Sequence, residues 1–182
     1  ARESGTMGGQ TLATVANASG RWTKIVAWTR QAWEMIQRER SDWTFLRDTF
    51  EASLVPSQTR YTPAELGLFT FGSWEREVDG YSPYTIYDPA IGRGDENRLL
   101  ICNYRDWAFR FDVGAQVLVR PNLVTFDFQR RLCVGPVPDK VYTIRGAYRR
   151  SIQTLTADAD VPYIAEDYHQ AIVWRALVML GE

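Results

Sequence analysis

Histidine is almost absent from this sequence, and its scarcity limits the chemistry available to the chain. His169 is the one imidazole that could serve as a general base, and it stands beside an apolar stretch that includes Ile172. A histidine in such a position is more often a packing or hydrogen-bonding residue than a catalytic base. A hydrolase that uses His169 is therefore the least favoured hypothesis for this chain, and we predict that the protein is not an enzyme.

Cysteine is limited to two residues, Cys102 and Cys133, and both fall in apolar runs. A free cysteine in such a run behaves as a small hydrophobic residue. The two cysteines and His169 lack the short paired spacing and the four ligands of a structural zinc site. Asp158 and Asp160 begin a stretch that resembles a calcium loop, but His169 stands where that loop needs a bidentate glutamate. We therefore predict turn formation for these acids, and neither a metal nor a cofactor for the protein.

Lysine is also scarce, because Lys24 and Lys140 are the only two, and the formal net charge is −1. A near-neutral chain has no general attraction for nucleic acid or for an anionic membrane. Arginine and aromatic residues are enriched at protein interfaces, so the many arginines and the seven tryptophans are compatible with a large contact surface. A genome biased toward arginine codons explains the arginines equally well. No apolar run approaches the ~20 residues of a membrane span, so we predict no membrane partner.

The clearest helical pattern covers about residues 20–40, where apolar residues recur at steps of three and four. Ser41-Asp42 follows and ends the pattern. Trp28 and Met35 are seven residues apart and lie on a second side of this helix. Two apolar sides on one helix indicate either deep burial or a second partner. We favour the second partner, and we take Trp28 and Met35 as candidate interface residues.

A second helix is predicted over residues 166–180, and its C-terminal half is apolar nearly all round. Such a helix must be enclosed, either by this chain or by another one. Trp174, Val178 and Leu180 on this helix complete the set of candidate interface residues.

The region between the two helices has the alternating pattern and the turn residues of strands. One short helix is predicted inside it, at residues 104–113, with Asn103 as its N-cap. The last three strands are separated by short turns and predict a β-meander. The predicted strands are residues 43–55, residues 60–61, short pieces within 64–98, and residues 123–126, 132–134 and 141–150.

The order helix, strands, helix indicates an α+β fold. Residues 1–19 are predicted to form a flexible leader with a possible short helix, and residues 20–182 one domain.

The aromatic region 64–98 leaves a second hypothesis open, because clustered aromatic rings also bind sugars. An accessory domain that recognises a receptor or a carbohydrate through Trp74 is therefore the alternative, although core packing is the favoured role of these rings.

An ordered series of short motifs resembles the head–tail adaptor proteins of tailed bacteriophages. The resemblance begins at the first helix and extends to the last one, over about residues 20–180. The matching pieces are Ala32-Trp33-x-x-Ile36-Gln37, Asp42-Trp43-x-Phe45-Leu46, Arg120-Pro121, Gly135-Pro136-x-Pro138-Asp139, Tyr142-Thr143, Tyr148, Leu155, Ala157-Asp158, Asp160, Pro162, Tyr168-His169, Ile172-Val173 and Ala176-Leu177.

The resemblance implies a small helical core made from residues 20–42 and 164–182, with a β-rich antiparallel insertion over about residues 43–160. It also implies a ring of subunits, expected to be twelve-fold, that docks under the portal protein in the virion neck and extends the DNA channel. The implied partners are the portal protein, neighbouring adaptor subunits and a downstream tail, stopper or nozzle protein, with double-stranded DNA passing through without specific binding. Such a protein is synthesised in the cytoplasm of the bacterial host.

Overall fold

The computed structural model describes residues 14–15, 18–78 and 80–181, so most of the predicted leader and its possible short helix lie outside the described residues. Helices and antiparallel strands are both present, as the predicted α+β class requires. The elements are α1 (Arg21–Glu39), β1 (Arg47–Leu54), β2 (Arg60–Tyr61), β3 (Phe71–Trp74), β4 (Thr85–Tyr87), β5 (Asn97–Arg98), β6 (Leu100–Ile101), α2 (Tyr104–Phe111), β7 (Leu123–Phe126), β8 (Leu132–Gly135), β9 (Tyr142–Arg150) and α3 (Gln170–Gly181).

The chain divides into two compact units. The β unit is Arg47–Ser151, and the helical unit consists of the described residues up to Leu46 together with those from Ile152 onward. Within the described part of the chain, none of the helices combines the length and the apolar character needed to cross a membrane.

Two sheets form the β unit. In the first, the order is β1-β9-β4-β5, and β3 also pairs with β9, so the long strand β9 organises this sheet. All of its pairs are antiparallel. In the second, the order is β2-β8-β7-β6, and the pairs are antiparallel except for the parallel pair of β6 with β7.

The predicted β-meander is wrong, because the third strand of the expected meander joins the other sheet. β7 and β8 pair as neighbours, whereas β9 pairs with β1. Pro136 and Pro138 lie between β8 and β9 and have no N–H to donate to a ladder, so this segment cannot continue a hairpin on β8. The carbonyl oxygen of Val137 instead accepts a hydrogen bond of 2.9 Å from the backbone N–H of Val119.

Three local predictions are also corrected. The strand expected from Trp43 begins only at Arg47, because Thr44–Leu46 is a turn of 3-10 helix. The short helix α2 ends at Phe111 rather than at residue 113. The last helix, expected from residue 166, begins only at Gln170, because Glu166–Tyr168 is a turn of 3-10 helix.

The aromatic residues of region 64–98 contribute to the core of the β unit. Trp74 stacks on Phe126 with ring centroids 5.3 Å apart, and its indole N–H donates to the carbonyl oxygen of Arg130 at 2.7 Å. Tyr84 is fully buried, and its hydroxyl donates to the backbone of β9 at Ala147. Trp74 is therefore held by packing on several sides, as expected for a core residue.

Glu96 is expected to make the stability of the β unit depend on pH. Its carboxylate accepts hydrogen bonds from Thr85, Arg93 and Arg145, and these contacts, that of Thr85 above all, lower its pKa to about 2. A carboxyl group whose pKa falls on folding stabilises the fold above its unfolded pKa of about 4.3, and this stabilisation is lost as the pH falls toward 2. We expect Glu96→Gln to weaken the loss of β-unit stability between pH 5 and pH 2, measured by denaturant titration at each pH. Glu77→Gln, at an exposed carboxyl, is the control and should leave the pH dependence as in the wild type.

Candidate assembly interface

One face of α1 and the start of α3 form the core of the helical unit. Ala32 and Trp33 are fully buried, and Ile36 lies one turn further along the same stripe of α1. Ile172 of α3 packs against this stripe. The ring of Trp33 also stacks on Phe45, with centroids 5.6 Å apart. This stripe follows the three- and four-residue spacing that the sequence shows.

A buried glutamine, which the sequence reasoning missed, connects α1 to the segment that follows the β unit. Gln37 is 1% exposed. Its side-chain Nε2 donates to the carbonyl oxygen of Gln153 at 2.9 Å, and its Oε1 accepts the backbone N–H of Gln153 at 2.8 Å. The sequence does place Gln37 at the edge of the apolar stripe, because this residue lies four positions after Trp33 and next to Ile36.

Gln153 extends this connection to neighbouring segments. Its Oε1 accepts the indole N–H of Trp33 at 3.2 Å and the backbone N–H of Tyr163 at 3.1 Å. Its Nε2 donates to the carbonyl oxygen of Val161 at 2.8 Å. The polar groups of Gln37 and Gln153 therefore fix the course of residues 152–163 along α1.

The five candidate interface residues lie on the helical unit with different exposure. Trp28 and Met35 of α1 are half-buried. On α3, Trp174 is 61% exposed and Val178 is 54% exposed, while Leu180 is half-buried. After Ile172, the apolar side chains of α3 are thus only partly covered by this chain.

An aromatic groove lies elsewhere on the helical unit. It has a volume of about 560 Å³, and its lining is mostly apolar. The rim residue Tyr168 is 63% exposed. Glu166 and Asp167, next to Tyr168 in the chain, are both exposed. The residues that line this aromatic groove are Trp43, Thr44, Phe45, Tyr163, Ile164, Ala165 and Tyr168.

The residues considered as candidate catalytic or metal-binding groups make contacts of a structural kind. His169 lies 3.0 Å from the carbonyl oxygen of Ile164, to which its Nε2 donates. Asp160 accepts the backbone N–H of Ala157 at 2.7 Å, which is the turn role predicted for it. Burial raises the pKa of the Cys133 thiol to about 12, so this sulfur stays protonated at neutral pH. Among residues 14–15, 18–78 and 80–181, no cluster of three or more His, Cys, Asp or Glu side chains could hold a metal ion.

Exposed apolar side chains on a helix and an apolar groove are features of a protein that assembles with other proteins. A family model described as SU10 adaptor protein matches residues 9–182. The chain belongs to this family of bacteriophage head–tail adaptors, and the resemblance seen in its motifs is confirmed. The curated proteins contain no match to the sequence.

Family membership makes the protein a structural adaptor and a component of a bacteriophage virion. It also implies that the protein interacts with other head or tail proteins of the phage. Proteins of this family are structural and are not typically enzymes.

Proposed function

We propose that this adaptor docks as a ring under the portal protein in the virion neck and extends the DNA channel toward the tail. The ring is expected to contain twelve copies and to contact a downstream tail, stopper or nozzle protein on its far side. In this proposal residues 20–182 act as one adaptor domain, in which the two long helices form the docking core and the β-rich insertion lies between them in sequence.

The observation that carries this proposal is the uncovered apolar surface of α3. Trp174 and Val178, one helical turn apart, are both more than half exposed. An apolar helix face of this kind is stable in a complex that removes it from water. We propose that Trp174, Val178 and Leu180, together with Trp28 and Met35 of α1, bind the portal or a neighbouring subunit.

The charge of the chain supports passage of DNA through such a ring. Each phosphate neutralised by a lysine or arginine strengthens the hold of a protein on DNA. DNA that must slide during packaging and ejection requires weak and non-specific contacts. A chain with a formal net charge of −1 meets this requirement.

The proposal is tested by mixing the purified protein with the portal of its phage and imaging the product by electron microscopy. The wild type should form a ring on the portal ring. We expect Trp174→Ala combined with Val178→Ala to weaken ring formation by about 30-fold or more, since truncating an exposed aromatic anchor and its neighbour removes an interface hot spot.

Phe69→Ala is the matched control, because Phe69 is 90% exposed but lies in the β unit. This variant should bind like the wild type, and thermal unfolding should show that all variants are folded. If the wild type forms no complex with the portal at any concentration, the proposed function is wrong.

A further inference from the structure

Among the residues that the structure describes, Arg175 of α3 has no ion-pair partner for its charge. Its Nε is shielded from solvent, and among the described residues no group accepts a hydrogen bond from it. No ion pair of Arg175 occurs in that part of the chain either. A guanidinium group that is partly removed from water is stabilised by a carboxylate, with which it forms charge-assisted hydrogen bonds. The position of Arg175 therefore suits an acidic partner outside its own copy.

Arg175 adjoins the exposed apolar residues of α3. Residues three and four apart are neighbours on a helix, so Val178 lies beside both Trp174 and Arg175. We call these three residues the α3 ridge. It presents a large aromatic ring, an aliphatic side chain and one positive charge. A partner surface for the α3 ridge must therefore combine an apolar pocket with negative charge.

The aromatic groove of the same unit has these two properties. It is lined mostly by apolar and aromatic side chains and has a volume of about 560 Å³, which accommodates an indole ring. Glu166 and Asp167 are exposed beside its rim, and neither has an ion-pair partner among the residues that the structure describes. The α3 ridge and the aromatic groove therefore complement each other in both polarity and charge.

We propose that the α3 ridge of one copy docks into the aromatic groove of the next copy, where Arg175 pairs with Glu166 or Asp167. This inference rests on the proposed ring, for which it names the contact between neighbouring subunits. Trp174 and Val178 of the α3 ridge and Tyr168 at the rim of the aromatic groove are exposed in one copy, so a copy does not fill its own groove. A contact between two different surfaces of identical chains is heterologous and generates a ring when its rotation closes.

Reversal of charge tests the contact in the full chain. We expect Arg175→Glu to weaken association between copies about tenfold or more, because the new carboxylate faces two others. A variant that combines Arg175→Glu with Glu166→Arg and Asp167→Arg should recover association to within a few-fold of the wild type, since the pair is restored with opposite sign. Lys24→Glu makes the same change of charge at an exposed position of α1 and is the control.

Association between copies is measured by sedimentation over a range of concentrations, both with and without portal rings. A photo-cross-linker in place of Tyr168 reports the contact directly when isotope-labelled and unlabelled copies are mixed. The expected product joins position 168 of one copy to the peptide containing residues 174–178 of another copy. A cross-link to the portal instead, no cross-link between copies, or an absence of rescue by the combined variant overturns the inference.

The same samples separate this inference from the proposed function. Arg175→Glu copies that still bind the portal singly but form no ring support both statements. Copies that associate through the cross-linked contact but do not bind the portal refute the proposed function and support the proposed contact. Portal-bound rings that are unaffected by Arg175→Glu retain the proposed function and refute the contact.

Discussion

Replacing Trp33 with alanine is expected to destabilise the helical unit by about 3–5 kcal/mol, the range seen when a large buried aromatic side chain is truncated. Trp33 is fully buried, and its ring stacks on Phe45. The variant also leaves the Oε1 of Gln153 without the indole N–H that it accepts. A loss of this size is a large part of the stability of an ordinary domain.

The loss is measured by urea denaturation followed by circular dichroism, with a helical signal that comes mainly from α1 and α3. Trp28→Ala is the matched control, because Trp28 lies on the same helix but is only half-buried. Its effect on stability should be much smaller, about 1 kcal/mol or less. Equal losses in the two variants would show that the buried stripe does not determine the stability of this unit.

Hydrophobic periodicity predicted the helices because the information it uses is local. The apolar stripe of α1 repeats at helical spacing within one segment, and the structure buries Ala32, Trp33 and Ile36 as this spacing requires. The pairing of β9 with β1, in contrast, depends on residues that are far apart in the sequence. It joins Arg47 to Arg149 and Leu54 to Tyr142, and alternation within a strand does not indicate which distant strand is its partner.

The candidate interface shows the same division between local and distant information. The apolar surface of α3 was predicted from its composition, because a helix that is apolar all round exceeds what one neighbour can cover. The aromatic groove was not predicted, because Trp43 and Phe45 meet Tyr163 and Tyr168 only after the chain has returned from the β unit. Polar contacts over such separations, as between Gln37 and Gln153, have no periodic signature in the sequence.

Gln37→Leu is expected to cost about 2–4 kcal/mol of stability in the helical unit. Gln37 pairs with both the N–H and the carbonyl of Gln153, 116 residues away in sequence, as a neighbouring strand would. Leucine fits the apolar surroundings but makes neither bond, so two partly buried backbone groups lose their partners. Each unsatisfied group costs about 1–3 kcal/mol. Gln31→Leu, at an exposed position of α1, should change stability by no more than about 0.5 kcal/mol.

The same substitution should also weaken assembly under conditions in which the protein is still folded. Gln153 holds the backbone of Tyr163, and Tyr163 lines the aromatic groove, so releasing Gln153 loosens one wall of the groove. We therefore expect Gln37→Leu to lower ring formation on the portal and to increase hydrogen exchange at the Gln153 and Tyr163 amides, whereas Gln31→Leu changes neither. Unchanged exchange at both amides would mean that Gln37 does not fix this segment.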